Sequence, residues 1–572
     1  MAMTRAGRML HTRLLDARGW WMTLLLGAIA AAIRLPNLGQ PNAFSFDETY
    51  YAKDAFSYLN FGYERSFVDN ANTLLLQGRT DVFTSSPEFV VHPPLGKWTI
   101  ALGEHLFGMH PFGWRIIMAL LGIAAVMLVH RTMLRLTGNA YTAAAAGLFM
   151  AIDGMAIVLS RTALLDQTLM WWIVVTFHAL VRDRDQARHG LTLRASGQRV
   201  ARWRALRPWR LLAIVGITAA MATKWSALWF ALAFAVLALV WDLQARRRAG
   251  VRLPHAWLAD VGWVVTAAVI GTAGYLASWV GWFRSTDGWD RTWTGGPQWL
   301  PQALRALLYY HQQALAFHVS LTSDHPYKAA PYWWPLMLRP TSFTYASYHE
   351  GQQGCTAQAC SMEVLALGNI AIWWTASLVI LALALLPLAR LLRMRLTLRD
   401  WTADFTLPSR VSWDIAAGPL VGVGAGWLPW IYWHERTTFT FYSIVYAPFM
   451  CMLAAYGLQL FATQTVPRPA PTVGADTEPT DALALRSGDE VTDDPVSAEG
   501  VVQRSDDEPT PALDPHPAPV LYLETVHPTR LAVAIGVTVV AVVLSIYFMP
   551  LWVGAVIPYD AWHARMWLPS WI

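Results

Sequence analysis

Apolar positions along this 572-residue chain gather into long unbroken runs. A run of about 17–25 apolar residues crosses the hydrocarbon core of a bilayer as a helix. Eleven such runs are present, near 19–36, 114–130, 140–156, 165–181, 209–224, 226–244, 261–283, 365–388, 413–431, 438–462 and 529–549. They predict an all-α polytopic membrane protein with about 11 transmembrane helices. Arg34 and Pro36 follow the first run where a small-residue cleavage site would stand, so it reads as an anchor and not as a cleavable signal.

The polar intervals orient the bundle, because Lys and Arg in short loops mark the cytoplasmic side. The N-terminal stretch 1–18 carries Arg5, Arg8, Arg13 and Arg18, and 182–210 carries nine Arg. Arg246, Arg247 and Arg248 sit together, and Arg390, Arg393, Arg395 and Arg399 follow the eighth run. Eleven spans with a cytoplasmic N-terminus put all four clusters inside and the C-terminal stretch 550–572 outside. A membrane body is thus expected over 19–462, with a last helix at 529–549. Two long intervals, 37–113 and 284–364, then face outward, and functional groups concentrate in such loops. Residues 463–524 hold 13 Asp or Glu, 3 Arg and ten Pro. That composition cannot bury a core, so 463–528 reads as an acidic, Pro-rich, disordered cytoplasmic linker.

Composition narrows the class further. Only 14% of residues are charged, against roughly 25% in a soluble domain. With 55% hydrophobic residues, general disorder is excluded too. Three Cys are too few for a disulfide-built mini-domain. The 31 Trp suit a membrane–water interface. The net charge of +5 divides into −10 in the linker and +15 elsewhere, mostly topology-setting Arg. It therefore gives no reason to expect a nucleic-acid partner.

Against this background a few polar residues stand out. Asp47 and Glu48 lie just beyond the first run, and paired carboxylates can serve as a base and its orienting partner. Ser45-Phe46-Asp47-Glu48 also fits an S-x-x-E capping box, which merely starts a helix. His92 and Lys97, in His92-Pro93-Pro94-Leu95-Gly96-Lys97, could meet an anion at a loop-to-helix junction. Arg115, Arg161, Lys224 and Arg436 all fall at the outer boundary of the bilayer, against the positive-inside bias. Cations at that depth need a partner or a cavity, and four on one face fit a phosphate held at membrane level. Asp166 and Tyr442 belong to the same stretches of sequence. Cys355 and Cys360, in the second long interval, are expected to form a small structural disulfide. Cys451 lies inside a run and is expected to pack as an apolar side chain. No phosphate-cradling Gly loop, zinc-protease helix or nucleophile elbow is present.

Phe46-Asp47-Glu48, His92-Pro93-Pro94-Leu95-Gly96-Lys97, Ser160-Arg161 with Leu164-Leu165-Asp166, and the Trp433–Tyr442 run together resemble the protein O-mannosyltransferases, more narrowly their actinobacterial members. The resemblance covers about 20–462 and the last run. It implies a GT-C glycosyltransferase that passes mannose from a polyprenyl-phosphate carrier to Ser or Thr hydroxyls of secreted proteins. Asp47 matches the catalytic carboxylate and Glu48 its partner, while Arg115 and Arg161 match motif positions near the donor. Two features depart from the eukaryotic pattern. Val90 stands where those members have Asp, leaving Asp69 or Asp81 as a third loop carboxylate, and 284–364 is too short for their inserted β-trefoil domain.

The implied chemistry is an inverting displacement on the outer face. Asp47 would be the base, and Glu48 would orient it or the acceptor. Arg436, Arg161, Lys224 and Arg115 would bind the donor phosphate, with His92, Lys97, Asp166 and Tyr442 as further donor or acceptor contacts. Trp333 and Trp334 could touch sugar or peptide, or form part of an interfacial belt. Asp47 and Glu48 could hold a divalent cation, although no His/Asp constellation demands one. Expected partners are the lipid-linked mannose donor, a secreted polypeptide, membrane lipid and, through the acceptor, the protein-export machinery. Three alternatives stay open: a GT-C transferase with a lipid or glycan acceptor, a lipid-linked sugar transporter, and a membrane scaffold.

Overall fold

The computed structural model describes residues 5–195, 206–250, 256–397, 411–467 and 522–572. Each of the eleven apolar runs is helical there. Five helices are long and apolar enough to cross a membrane: Pro111–Thr137, Ala227–Arg248, Asp260–Ser278, Trp413–Tyr432 and Pro528–Val553. Gly19–Arg34, Pro208–Met221, Ile370–Leu386 and Ala447–Ala462 are shorter apolar helices.

Counting the one bent pair as a span, up to six of the eleven runs meet that length among the described residues, and two runs are interrupted. The one expected at 140–156 breaks into Ala140–Ile152 and Gly154–Ser160, bent by 56°. Asp153 stands at the break and caps the second piece, accepting from Ala156 N at 3.0 Å. Its other oxygen accepts from Asn369 N and Trp373 Nε1, tying the break to the start of Ile370–Thr397. The run at 438–462 opens with a 3-10 turn, Thr440–Val445, before the helix Ala447–Ala462.

The first long interval is largely structured. It holds the helices Glu48–Phe61, Ala71–Leu76 and Leu95–Phe107, with Arg65–Phe67 and Phe83–Pro87 paired antiparallel. It docks on the end of the seventh apolar run, where two glycines touch. A Cβ on Gly281 would lie 1.9 Å from the Gly62 carbonyl oxygen, and Gly62 itself closes its helix at φ +79°. Only glycines permit that approach. Around the contact Tyr63, Trp279, Trp282 and Tyr310 form a small aromatic core, separate from the main core of the bundle.

The second interval contributes Thr341–His349 and Ala359–Ala366, which form an antiparallel hairpin with Val556–Pro558 added on the far edge. Cys355 and Cys360 close the hairpin with a disulfide. The stretch read as a disordered linker is ordered at both flanks, where Thr463–Pro467 pairs antiparallel with Tyr522–Val526. Its acidic middle, 468–521, lies outside the described residues.

Candidate active site

Phe46 holds a left-handed backbone at φ +51°, which is uncommon for a bulky residue and clusters at functional sites. Its ring is held by Phe343, Phe439 and Phe441 at 5.1–5.6 Å between centroids. The backbone therefore turns sharply before Asp47 and Glu48, and the two carboxylates diverge into different surroundings.

Glu48 is fully buried. Arg115 approaches it side-on, Nε to Oε1 at 2.8 Å and an amino group to Oε2 at 2.7 Å. Ser45 N and Ala163 N add bonds of 2.8 and 2.9 Å. The Ser45 bond is the glutamate half of the capping box; the reciprocal serine bond is missing, because the helix begins at Glu48 with Asp47 at its N-cap. Arg115 also donates to the carbonyls of Leu38, Pro41 and Ala43. It was expected at a phosphate, but its donors are saturated by protein. Arg161 is likewise engaged, with the carbonyls of Arg34, Pro36 and Asn37 at 2.7–3.1 Å. These guanidiniums fasten the first helix and the loop after it. Lys97, expected at an anion, is buried against Glu64 and donates to the His92 carbonyl at 3.0 Å.

Among the described residues Asp47 has no such partners. Its carboxylate makes no capping bond to the helix that follows. Burial raises its pKa to about 7; Lys224 pulls it down and Asp166 pushes it up by smaller amounts. Lys224 Nζ is chelated by both Asp166 oxygens, at 2.9 and 3.0 Å, and lies 4.6 Å from the centre of the Tyr442 ring.

Lys224, Tyr442, His92 and Arg436 line one cavity of about 240 Å³, walled on its apolar side by Trp225 and Trp430. Arg436 is held by the His318 carbonyl at 3.0 Å and the Thr437 carbonyl at 3.3 Å. Among the described residues no carboxylate neutralises it. Among the described residues Nδ1 of His92 is buried without a partner. Burial and the nearby Lys224 push the His92 pKa well below its usual value, so the ring is neutral.

The structure thus gathers Asp47, Asp166, Lys224, His92, Tyr442 and Arg436, and separates Glu48, Arg115, Arg161 and Lys97 into the packed scaffold. Missed by sequence reasoning, Tyr51 is buried with its ring 6.2 Å from His92. His318 was missed as well, and its ring lies 5.1 Å from His92. Tyr51 stands four residues after Asp47, a helical spacing that could have flagged it; nothing local marks His318. Of the two tryptophans considered as ligand contacts, Trp334 is buried and bonded to the Ala329 carbonyl, and Trp333 is 40% exposed. Asp81 is exposed and paired with Arg79. Among the described residues no group of three or more His, Cys, Asp or Glu is placed to hold a metal ion.

A multi-helix membrane body with an acid–base and cationic cluster at one end of its helices is the architecture of a GT-C glycosyltransferase. A chain of the S. cerevisiae protein O-mannosyltransferase Pmt1-Pmt2 complex, solved bound to the sugar donor, has this fold with a TM-score of 0.65 and 13% identity, over 97% of this chain and 93% of that one. The chain belongs to the protein O-mannosyltransferase family. Residues 24–270 match the dolichyl-phosphate-mannose-protein mannosyltransferase model, and 303–571 match the C-terminal four TMM region of protein-O-mannosyltransferase. It is 37% identical over 465 residues to the polyprenol-phosphate-mannose–protein mannosyltransferase of Mycolicibacterium smegmatis, covering 77% of this chain and 81% of that protein. The protein of the same name from Corynebacterium glutamicum is 27% identical over 585 residues, covering 97% of this chain and 94% of that one. The chain is a multi-pass membrane glycosyltransferase, and the transporter and scaffold alternatives fall away.

Proposed function

We propose that this enzyme transfers mannose from a polyprenyl-phosphate carrier to Ser or Thr hydroxyls of secreted polypeptides, with inversion, on the outer face of the cytoplasmic membrane. The observation that carries this reading is the Asp47 carboxylate, which makes no capping bond and feels the charge of Lys224, a cation that lines one cavity with Arg436. The acceptor hydroxyl attacks C1 of the mannosyl group as the bond from C1 to the phosphate oxygen breaks. Asp47 takes the hydroxyl proton, and polyprenyl phosphate leaves with the electron pair. Phosphate needs no general acid once its charge is met, and preorganised cations meet it as it develops. Arg436, with neutral partners only, and Lys224, held by Asp166, are those cations. His92 offers its neutral ring to a sugar hydroxyl. Glu48 and Arg115 act through position, by fixing the turn that aims Asp47. The outer-face assignment rests on the four Arg clusters of the opposite face.

The test is a transfer assay with purified protein, radiolabelled polyprenyl-phosphate mannose and a Ser/Thr-rich peptide, run with and without chelator. Labelled peptide bearing mannose of inverted anomeric configuration is expected. Label appearing only on lipid or glycan acceptors would overturn the protein-directed reading.

A further inference from the structure

A second cavity, of about 630 Å³, opens on another face of the helix Glu48–Phe61. Thr49, Tyr50, Lys53 and Asp54 line it from the helix, and the 66–73 segment with Glu88 lines it from the far side. The mechanism above uses none of these groups. Asp54 is 3% exposed, and among the described residues its Oδ2 has no hydrogen-bond partner. Asn72 gives its amide nitrogen to Thr49 Oγ1 at 2.8 Å, which leaves its unpartnered Oδ1 as the free end. Oε2 of Glu88 is unpartnered as well. A buried polar atom left without a partner is destabilising. Three residues with such atoms line one cavity, where a polar ligand would meet them.

The other groups narrow its chemistry. The Lys53 ammonium sits 4.8 Å from the centre of the Phe67 ring and can donate in turn. The Tyr50 ring is 60% exposed. Acceptor oxygens, one ammonium and two aromatic rings suit a sugar, whose hydroxyls both donate and accept and whose C–H face lies on a ring. No group of three metal-binding side chains forms among the described residues, so the set does not match a metal ion.

We propose that this cavity is a second sugar site, which holds a hexose already attached to the acceptor polypeptide and so presents a nearby unmodified hydroxyl to Asp47. Thr49 is two residues from Asp47, so the two sites share one rigid support. The inference rests on the polypeptide-acceptor reading above and deepens it.

Two measurements test it. The first is saturation-transfer NMR of the full-length protein with methyl α-mannoside, comparing wild type with Tyr50→Ala/Asn72→Ala. A signal that falls severalfold in the variant is expected; an equal signal in both, or none in wild type, overturns the site. The second compares a Thr-rich peptide carrying one mannose with its bare counterpart. Wild type should show a KM about tenfold lower for the glycopeptide. The variant should show one KM for both, with kcat/KM on the bare peptide and the melting temperature unchanged. A preference that persists in the variant, or equal loss on both peptides, overturns the proposal, the latter pointing to a polypeptide groove. If wild type fails to modify the bare peptide, the transfer reading fails, while a variant-sensitive mannoside signal still establishes the sugar site.

Discussion

Glu48 and Arg115 occupy one side of the turn at Phe46; Asp47, Lys224 and Arg436 occupy the other. Both sides pair acids with bases at the same end of the bundle. On the first side the Glu48 carboxylate accepts four bonds, and Arg115 is bound to three carbonyls besides. On the second the Asp47 carboxylate makes no capping bond, and among the described residues Arg436 meets carbonyls, an imidazole and the Trp430 ring, all neutral. Charge alone does not mark a site. What separates machinery from scaffold is the remaining capacity of each polar group once the fold has satisfied it.

That contrast predicts two different kinds of failure. Arg115→Ala leaves Glu48 buried and unpaired, which costs about 3–5 kcal/mol. The expected result is a sharp fall in melting temperature and in folded yield; a well-folded, inactive protein would move Arg115 into the site. On the open side stability should be indifferent and activity should not. Because burial raises the Asp47 pKa to about 7, and a base works only when deprotonated, kcat/KM should rise with pH up to about 7 and level off above it. One unit below, the rate should be down about tenfold. A profile flat from pH 5 to 8 would contradict this. Arg436→Ala should weaken donor binding about tenfold, or about 1.4 kcal/mol, with an unchanged melting temperature; calorimetry with polyprenyl phosphate reads it. The smallest effect is a control on the helix Ala140–Ile152. Asn139 caps it by accepting from Tyr141 N and Thr142 N, so Asn139→Ala should cost about 1 kcal/mol of stability and leave transfer intact.

Much of the molecule was legible beforehand because lipid imposes simple rules. A long apolar run must be helical to satisfy its backbone, and all eleven runs are. The Cys355–Cys360 pair was equally plain from its spacing and context. The proposed site was legible as a group of residues but not by role. Asp47, Lys224, Arg436, His92, Asp166 and Tyr442 do converge. Nothing in the sequence, however, distinguishes Arg115 from Arg436, because both follow a tryptophan within three residues and sit at the end of an apolar run. Their roles depend on which carbonyls and carboxylates the fold brings to them, from segments up to 118 residues away for Arg436. The break at Asp153 was hidden for the same reason, since the groups that stabilise it, Asn369 and Trp373, lie more than 200 residues along the chain.

The most direct test of the account is transfer by Asp47→Asn, measured as single-turnover mannosylation of a Thr-rich peptide alongside donor affinity and melting temperature. A loss of about 10²–10⁴-fold in rate is expected, with the protein folded and the donor still bound. Turnover at the wild-type rate would contradict it.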